Sequence, residues 1–212
     1  MIIIKPFIAT IEDQYTTSLQ FENGVIKPFY MRGSISVPEG KKEGFAMMAG
    51  MDLREGQIII FDQFRWWTVS HWRNPDGTVR EREDGSGYYL GLMKFITDNF
   101  ALYKCASYFY GGQHYDQQKR YLNEVYRHPE ASRRMELIEV PYVAETGPDL
   151  LIEKLKTNRF KAETGSWLHE SVARFVAMRT TETDYDNATL CLMTLLTGFD
   201  YQPHVKIRGG YR

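Results

Sequence analysis

The segment 58–73 places apolar residues in both alternation phases of a strand. They are Ile58, Ile59, Ile60, Phe61, Phe64, Trp66, Trp67, Val69 and Trp72. Because successive side chains of a strand point to opposite faces, a strand of this kind has to be covered on both sides. The sequence therefore predicts a long interior strand between two layers. One of Trp66 and Trp67 has to be covered by a helix from residues 88–197 or by a partner molecule.

The first 84 residues are typical of strands. Ile2–Ile11 is rich in β-branched residues and interrupted by Pro6, which suits an edge strand or a bend because proline cannot donate to a ladder. Asn23-Gly24 between two apolar runs predicts a tight hairpin. Phe45–Leu53 fits a short helix or a strand, and 74–77 turns the long strand back as a second hairpin.

After Ser86 the apolar period becomes helical, with Leu137–Val143 as an extended exception. The predicted helices are 86–104, about 115–127, Asp149–Lys156, Ser166–Met178 and Asp184–Thr197. The last has Thr183 and Gly198 as candidate caps. We predict an α+β fold: an N-terminal, mostly antiparallel sheet with two hairpins and a long central strand 58–73, packed by C-terminal helices. The β-rich segment 1–84 and the mainly helical segment 85–212 are expected to share one core, as one domain or as two.

Composition narrows the class of protein. The net charge is −1, and Lys plus Arg nearly balance Asp plus Glu in each third of the chain, so a basic nucleic-acid-binding domain is not indicated. Cys105 and Cys191 both lie in apolar contexts, which favours buried, reduced thiols and a cytoplasmic location. The apolar start is stopped by Lys5 and Pro6, and we expect no membrane span.

Familiar catalytic motifs are missing from the sequence. It has no phosphate-binding glycine loop, no dinucleotide fingerprint and no histidine spacing typical of a metal site, so no cofactor and no metal are predicted. A site assembled from distant residues would use His114 and Asp116 as acid and base, with Glu124 or His169 in support.

Tyrosines and cations interleave between residues 103 and 134, and two further cations lie in the tail. The candidate binding residues are Tyr108, Tyr110, His114, Lys119, Arg120, Arg127, Arg133, Arg134, Lys206 and Arg208. This pattern fits a protein interface, a grip on single-stranded nucleic acid, or an amphipathic helix whose tyrosines are core and whose cations are solvated.

Three functional hypotheses follow. The first is a non-catalytic interaction or assembly component, of the compact kind that viral or mobile-element genomes encode, which docks through aromatic and basic surface on a protein partner or on itself. The second is a single-stranded nucleic-acid-binding module that uses 103–134. The third is an enzyme with its site around His114 and Asp116.

Overall fold

A computed structural model describes residues 5–13, 16–37, 43–66, 90–111, 136–141, 143–178 and 185–201. The strands are β1 (Ile8–Ile11), β2 (Thr17–Gln20), β3 (Ile26–Ser36), β4 (Gly44–Asp52), β5 (Ile58–Trp66), β6 (Ser107–Gly111), β7 (Glu136–Val140) and β8 (Phe160–Lys161). The helices are α1 (Leu90–Tyr103), α2 (Val143–Lys156), α3 (Trp167–Met178) and α4 (Asn187–Tyr201).

The described strands form one eight-stranded sheet. Strands β1 to β5 follow one another as an antiparallel series, which confirms the predicted fold class. The C-terminal half adds three parallel strands: β6 beside β3, β7 beside β6, and β8 beside β5. One edge of β3 pairs with β4, while its other edge is shared by β2 near Phe29 and by β6 near Gly33.

The Asn23-Gly24 hairpin between β2 and β3 is confirmed. Gly24 has a φ of 78°, a backbone conformation that glycine adopts without steric cost. The Phe21 amide donates to the Val25 carbonyl at 2.9 Å, and the Val25 amide donates to the Asn23 side chain at 3.1 Å. The sequence of Phe45–Leu53 fitted a short helix or a strand, and in the structure it is the strand β4 followed by a turn. The predicted turn at 74–77 lies outside the described residues.

Both faces of the central strands are buried, as the apolar pattern of 58–73 predicts for the region that the structure describes. On one side, which we call the α1 face, Phe29, Met31 and Phe61 pack with residues of α1. On the other side, the α4 face, Tyr30, Met47 and Ile60 pack with residues of α2, α3 and α4. The sheet is thus the middle layer between α1 and the three C-terminal helices.

A β-bulge sets which side chains of β5 share a face. Asp62 lies opposite Met48 and Ile60 lies opposite Ala49, so Phe61 is the extra residue. Simple alternation would put Phe61 and Trp66 on opposite faces, but the bulge brings both to the α1 face. Trp66 stacks on Phe64 with ring centroids 5.8 Å apart, in the cluster to which α1 contributes, so a helix contributes to its cover, as expected.

Helix α4 is the central helix of its layer, with thirteen of its fifteen residues buried. The predicted bounds 184–197 are wrong, because the helix begins after Asp186 and runs on to Tyr201. The Asp186 carboxylate accepts the Thr189 amide at 2.8 Å and is therefore the cap. Gly198 is not a terminal residue: it lies inside the helix, against the ring of Phe109.

The other helices differ from prediction mainly at their ends. Helix α2 begins at Val143 instead of Asp149, and Pro148 lies inside it. Helix α3 matches the predicted Ser166–Met178, and the Ser166 hydroxyl accepts the His169 amide at 3.3 Å as its cap. The helix that was expected at about 115–127 lies outside the described residues.

Replacing Gly198 with alanine should destabilise the fold. A Cβ atom there would lie 2.6 Å from a ring carbon of Phe109, in a core that cannot expand without strain. Overpacking of this kind costs about 1–3 kcal/mol, which exceeds the gain in helix propensity of about 1 kcal/mol. Urea unfolding should show the loss for Gly198→Ala. Phe109→Leu in the same chain should recover some of it, and purely additive effects of the two substitutions would contradict the packing argument.

The two cysteines should be nearly inert in the folded protein. Both are free and buried, and burial raises the pKa of the Cys191 thiol to about 12 and raises that of Cys105. Because the thiolate is the reactive form, a disulfide reagent at pH 8 should modify them slowly in buffer and rapidly in urea. Rapid modification of either thiol under native conditions would contradict their burial.

Candidate functional site

Only two of the candidate binding residues fall within the described regions of the chain. Tyr108 and Tyr110 lie on β6, and both are buried. Burial raises the pKa of the Tyr108 phenol well above its usual value, and Gly33 leaves no space between its backbone and the Tyr108 ring. These two tyrosines are therefore core residues of a strand, while the amphipathic helix proposed as an alternative for about 115–127 lies outside the described residues.

The remaining candidates lie outside the described residues and stay predictions. They are His114, Lys119, Arg120, Arg127, Arg133, Arg134, Lys206 and Arg208, together with Asp116 and Glu124 of the enzyme hypothesis. His169 is described: it lies exposed in the first turn of α3 and accepts the Gly165 amide at 3.4 Å.

Strand β3 pairs with β4 along one edge, and near its carboxyl end it pairs with β6 on the other edge. A cleft of about 310 Å³ lies beside this end of β3. It is lined by Glu43, Phe45, Arg65, Trp167, Glu170, Ser171, Arg174, Asp186, Asn187 and Ala188.

Both arginines of the cleft already have carboxylate partners. The Arg65 guanidinium lies 3.6 Å from the ring centroid of Trp167, and its Nε donates to Glu43 at 2.8 Å. Arg174 donates to Asp186 at 3.0 Å. The positive charges are therefore neutralised within the protein, and the cleft offers no strongly basic site for an anion.

Asn187 connects the cleft to the core. Its side-chain amide donates to the Val37 carbonyl at 2.9 Å and to the Glu43 carbonyl at 2.6 Å, and its oxygen accepts the Ser36 hydroxyl at 3.1 Å. One side chain thus ties the end of β3 and the start of β4 to the first turn of α4. The cleft therefore contains a residue, Asn187, whose hydrogen bonds stabilise the fold.

A second exposed feature is apolar and lies at the opposite end of the sheet order from β8. Strand β1 has only β2 as a neighbour among the described strands, as the edge-strand prediction for Ile2–Ile11 anticipated. Large apolar side chains on β1, directly before it and on the β2–β3 hairpin are 42–58% exposed. We call this group the β1 edge surface: Phe7, Ile8, Ile11, Val25 and Ile26.

The ladder pattern shows which backbone groups of β1 point outwards. The Phe21 amide bonds to Val25, so odd residues of β2 bond to β3 and even residues bond to β1. Thr10 lies opposite Ser18, and the Glu12 amide donates to Thr16 in the same alternation. The amides and carbonyls of Ala9 and Ile11 consequently face away from β2.

Other classes of site are not found in the described ranges. No three of their His, Cys, Asp and Glu side chains lie close enough together to hold a metal ion. No helix in these ranges has the length and apolar character needed to cross a bilayer. Neither the models of known protein families nor the curated proteins give a match to this sequence.

Asn187→Ala should cost the fold about 2–4 kcal/mol. The substitution removes three hydrogen bonds, two of them buried and one part-buried, and leaves two carbonyl groups and the Ser36 hydroxyl without their partner. Glu170→Ala is the matched control, because Glu170 lines the same cleft but is exposed, and its effect should stay within about 0.5 kcal/mol. Equal urea midpoints for the two variants would contradict the role given to Asn187.

Proposed function

We propose that the protein is a non-catalytic interaction or assembly component that adds an extended strand of a partner to β1. The observation that carries this proposal is the β1 edge surface, an outward-facing strand edge flanked by exposed apolar side chains. A partner strand would bond to the backbone groups of Ala9 and Ile11, and its side chains would cover those of the β1 edge surface.

The side chains around this edge support strand addition on both faces of the sheet. Ile8, Gln20 and Ile26 form one cross-strand row on the face away from Leu19, while Ile11 lies in the row of Thr17 and Phe29 on the α1 face. Either alternation phase of an added strand would therefore meet apolar surface.

Natural edge strands usually carry charges, bulges or a covering element that discourage pairing. In β1 the residues between Pro6 and Glu12 are uncharged, and Pro6 limits the edge at one end only. This composition favours a strand that is kept available to a partner. Docking through the Tyr- and Arg-rich segment 103–134, most of which lies outside the described residues, stays a prediction.

The proposal predicts saturable binding of a nine-residue peptide that alternates valine and threonine, measured by fluorescence anisotropy. Ala9→Pro should weaken binding about tenfold, because it removes an outward donor without breaking the ladder to β2. Val176→Lys, which changes an exposed apolar residue on α3, is the matched control and should bind like the wild type.

Urea unfolding of Ala9→Pro would show whether the sheet is intact, so that a loss of binding can be assigned to the edge. Absence of binding by the wild type, or equal binding by Ala9→Pro, would contradict the proposed function.

A further inference from the structure

Three polar atoms on the α1 face are buried without a hydrogen-bond partner among the residues that the structure describes. They are the side-chain oxygen of Asn99 and the hydroxyls of Tyr103 and Tyr108. All three residues are at most 1% exposed. A polar group that loses its water on folding and gains no partner opposes folding, so three such atoms in one layer of the protein need an explanation.

Two of the three atoms come from the helix. Asn99 and Tyr103 are four residues apart on α1, on the buried side of the helix that also carries Leu92 and Ile96. The Asn99 side-chain amide donates to the Phe95 carbonyl at 2.8 Å, so the unpartnered atom of this side chain is an acceptor. The helix therefore presents an acceptor and a hydroxyl to the sheet.

The third atom comes from the sheet. One cross-strand row runs from β6 to β5 through Tyr108, Gly33, Met48 and Asp62. Because Gly33 has no side chain, the ring of Tyr108 lies over it, in the direction of Asp62. Tyr108 and Met48 belong to the core of the α1 face, and the Asp62 carboxylate lies on the same face because it is directly opposite Met48.

The Asp62 carboxylate lies near both phenols. The ring centroid of Tyr103 is 5.5 Å from that of Phe61, the residue before Asp62. Burial raises the pKa of the Tyr103 and Tyr108 phenols, and the negative charge of Asp62 adds to the increase in both. Both phenols consequently keep their protons at neutral pH. We call Asp62, Asn99, Tyr103 and Tyr108 the α1 polar site.

We propose that the α1 polar site binds ordered water, which bridges α1 to the sheet. The two hydroxyls can donate, whereas the Asn99 oxygen and the Asp62 carboxylate can only accept, and water does both. Buried water molecules typically make about three hydrogen bonds to polar groups that have no other partner. This site is separate from the β1 edge surface, and the proposal does not depend on strand addition.

Charge and packing favour water over other ligands. Lys5 Nζ lies 3.4 Å from Asp62 Oδ2 and balances its charge, so the site has no excess of negative charge to attract a cation. The neighbouring side chains of Leu92 and Ile96 are completely buried. Spaces within a core of this kind are seldom larger than a water molecule, so a larger ligand is disfavoured.

Oxygen-17 relaxation dispersion tests the proposal, because it detects long-lived bound water and is not affected by exchange of hydroxyl protons. The double variant Tyr103→Phe with Tyr108→Phe should give a smaller dispersion amplitude than the wild type, since it removes both hydroxyls of the site. Tyr201→Phe changes a tyrosine that is 59% exposed, so it is the matched control and should match the wild type.

Urea unfolding of the single variants distinguishes a bonded hydroxyl from an unpaired one. Removing a hydroxyl that is bonded to water should lower the urea midpoint, whereas removing an unpaired buried hydroxyl should raise it. Tyr103→Phe and Tyr108→Phe should therefore each lower the midpoint. If the two hydroxyls share bound water, the loss in the double variant should differ from the sum of the single losses.

A higher urea midpoint for both single variants would overturn the proposal. An unchanged dispersion amplitude in the double variant would overturn it even if the midpoints fall, because the hydroxyls would then be bonded to a protein group instead of to water. Either result would leave the proposed function of β1 unaffected.

Discussion

The packing of α4 against β3 and β4 is the contact on which the other regions of this structure depend. The α4 face of β3 carries Ser34 and Ser36, and α4 satisfies both: the Ser34 hydroxyl donates to the Cys191 carbonyl at 2.9 Å, and Ser36 bonds to Asn187. Buried hydroxyl groups without such partners would oppose folding. The same helix lies against β6 through Gly198 and Phe109, and against α2 through Met193 and Gly147. It therefore joins the antiparallel and parallel portions of the sheet.

Helices cover both faces of the central strands, and this explains where apolar side chains are exposed to solvent. Helix α1 and the C-terminal helices cover β3, β4 and β5, whose apolar residues are mostly buried. The β1 edge surface lies at one end of the sheet, and its large apolar side chains are exposed, whereas Leu19 of β2 is still buried in the α1 face. The proposed function depends on this difference between the centre and the edge of one sheet. The cleft beside β3, in contrast, is polar and internally charge-paired.

The sequence predicted the strands and turns that depend on residues close together in the chain. The two-phase apolar run at 58–66, the Asn23-Gly24 turn and the Pro6 edge strand are of this kind. The bulge at Phe61 could not be predicted, because it depends on the register with β4. The strand β6 was missed because its aromatic residues suited a binding surface as well as a core. Gly198 suggested a helix end, but its small size serves the contact with Phe109, which is distant in sequence.

The central claim is that β1 is an open strand edge. Amide hydrogen exchange tests it most directly, because the amides that face β2 and those that face outwards are measured separately. In dilute solution the Thr10 amide, which faces β2, should exchange more slowly than the Ala9 and Ile11 amides, which face outwards. Adding the valine–threonine peptide should slow the exchange of the Ala9 and Ile11 amides and leave that of Thr10 nearly unchanged. Slow exchange of Ala9 and Ile11 in the absence of the peptide, or no alternation along the strand, would contradict an open edge at β1.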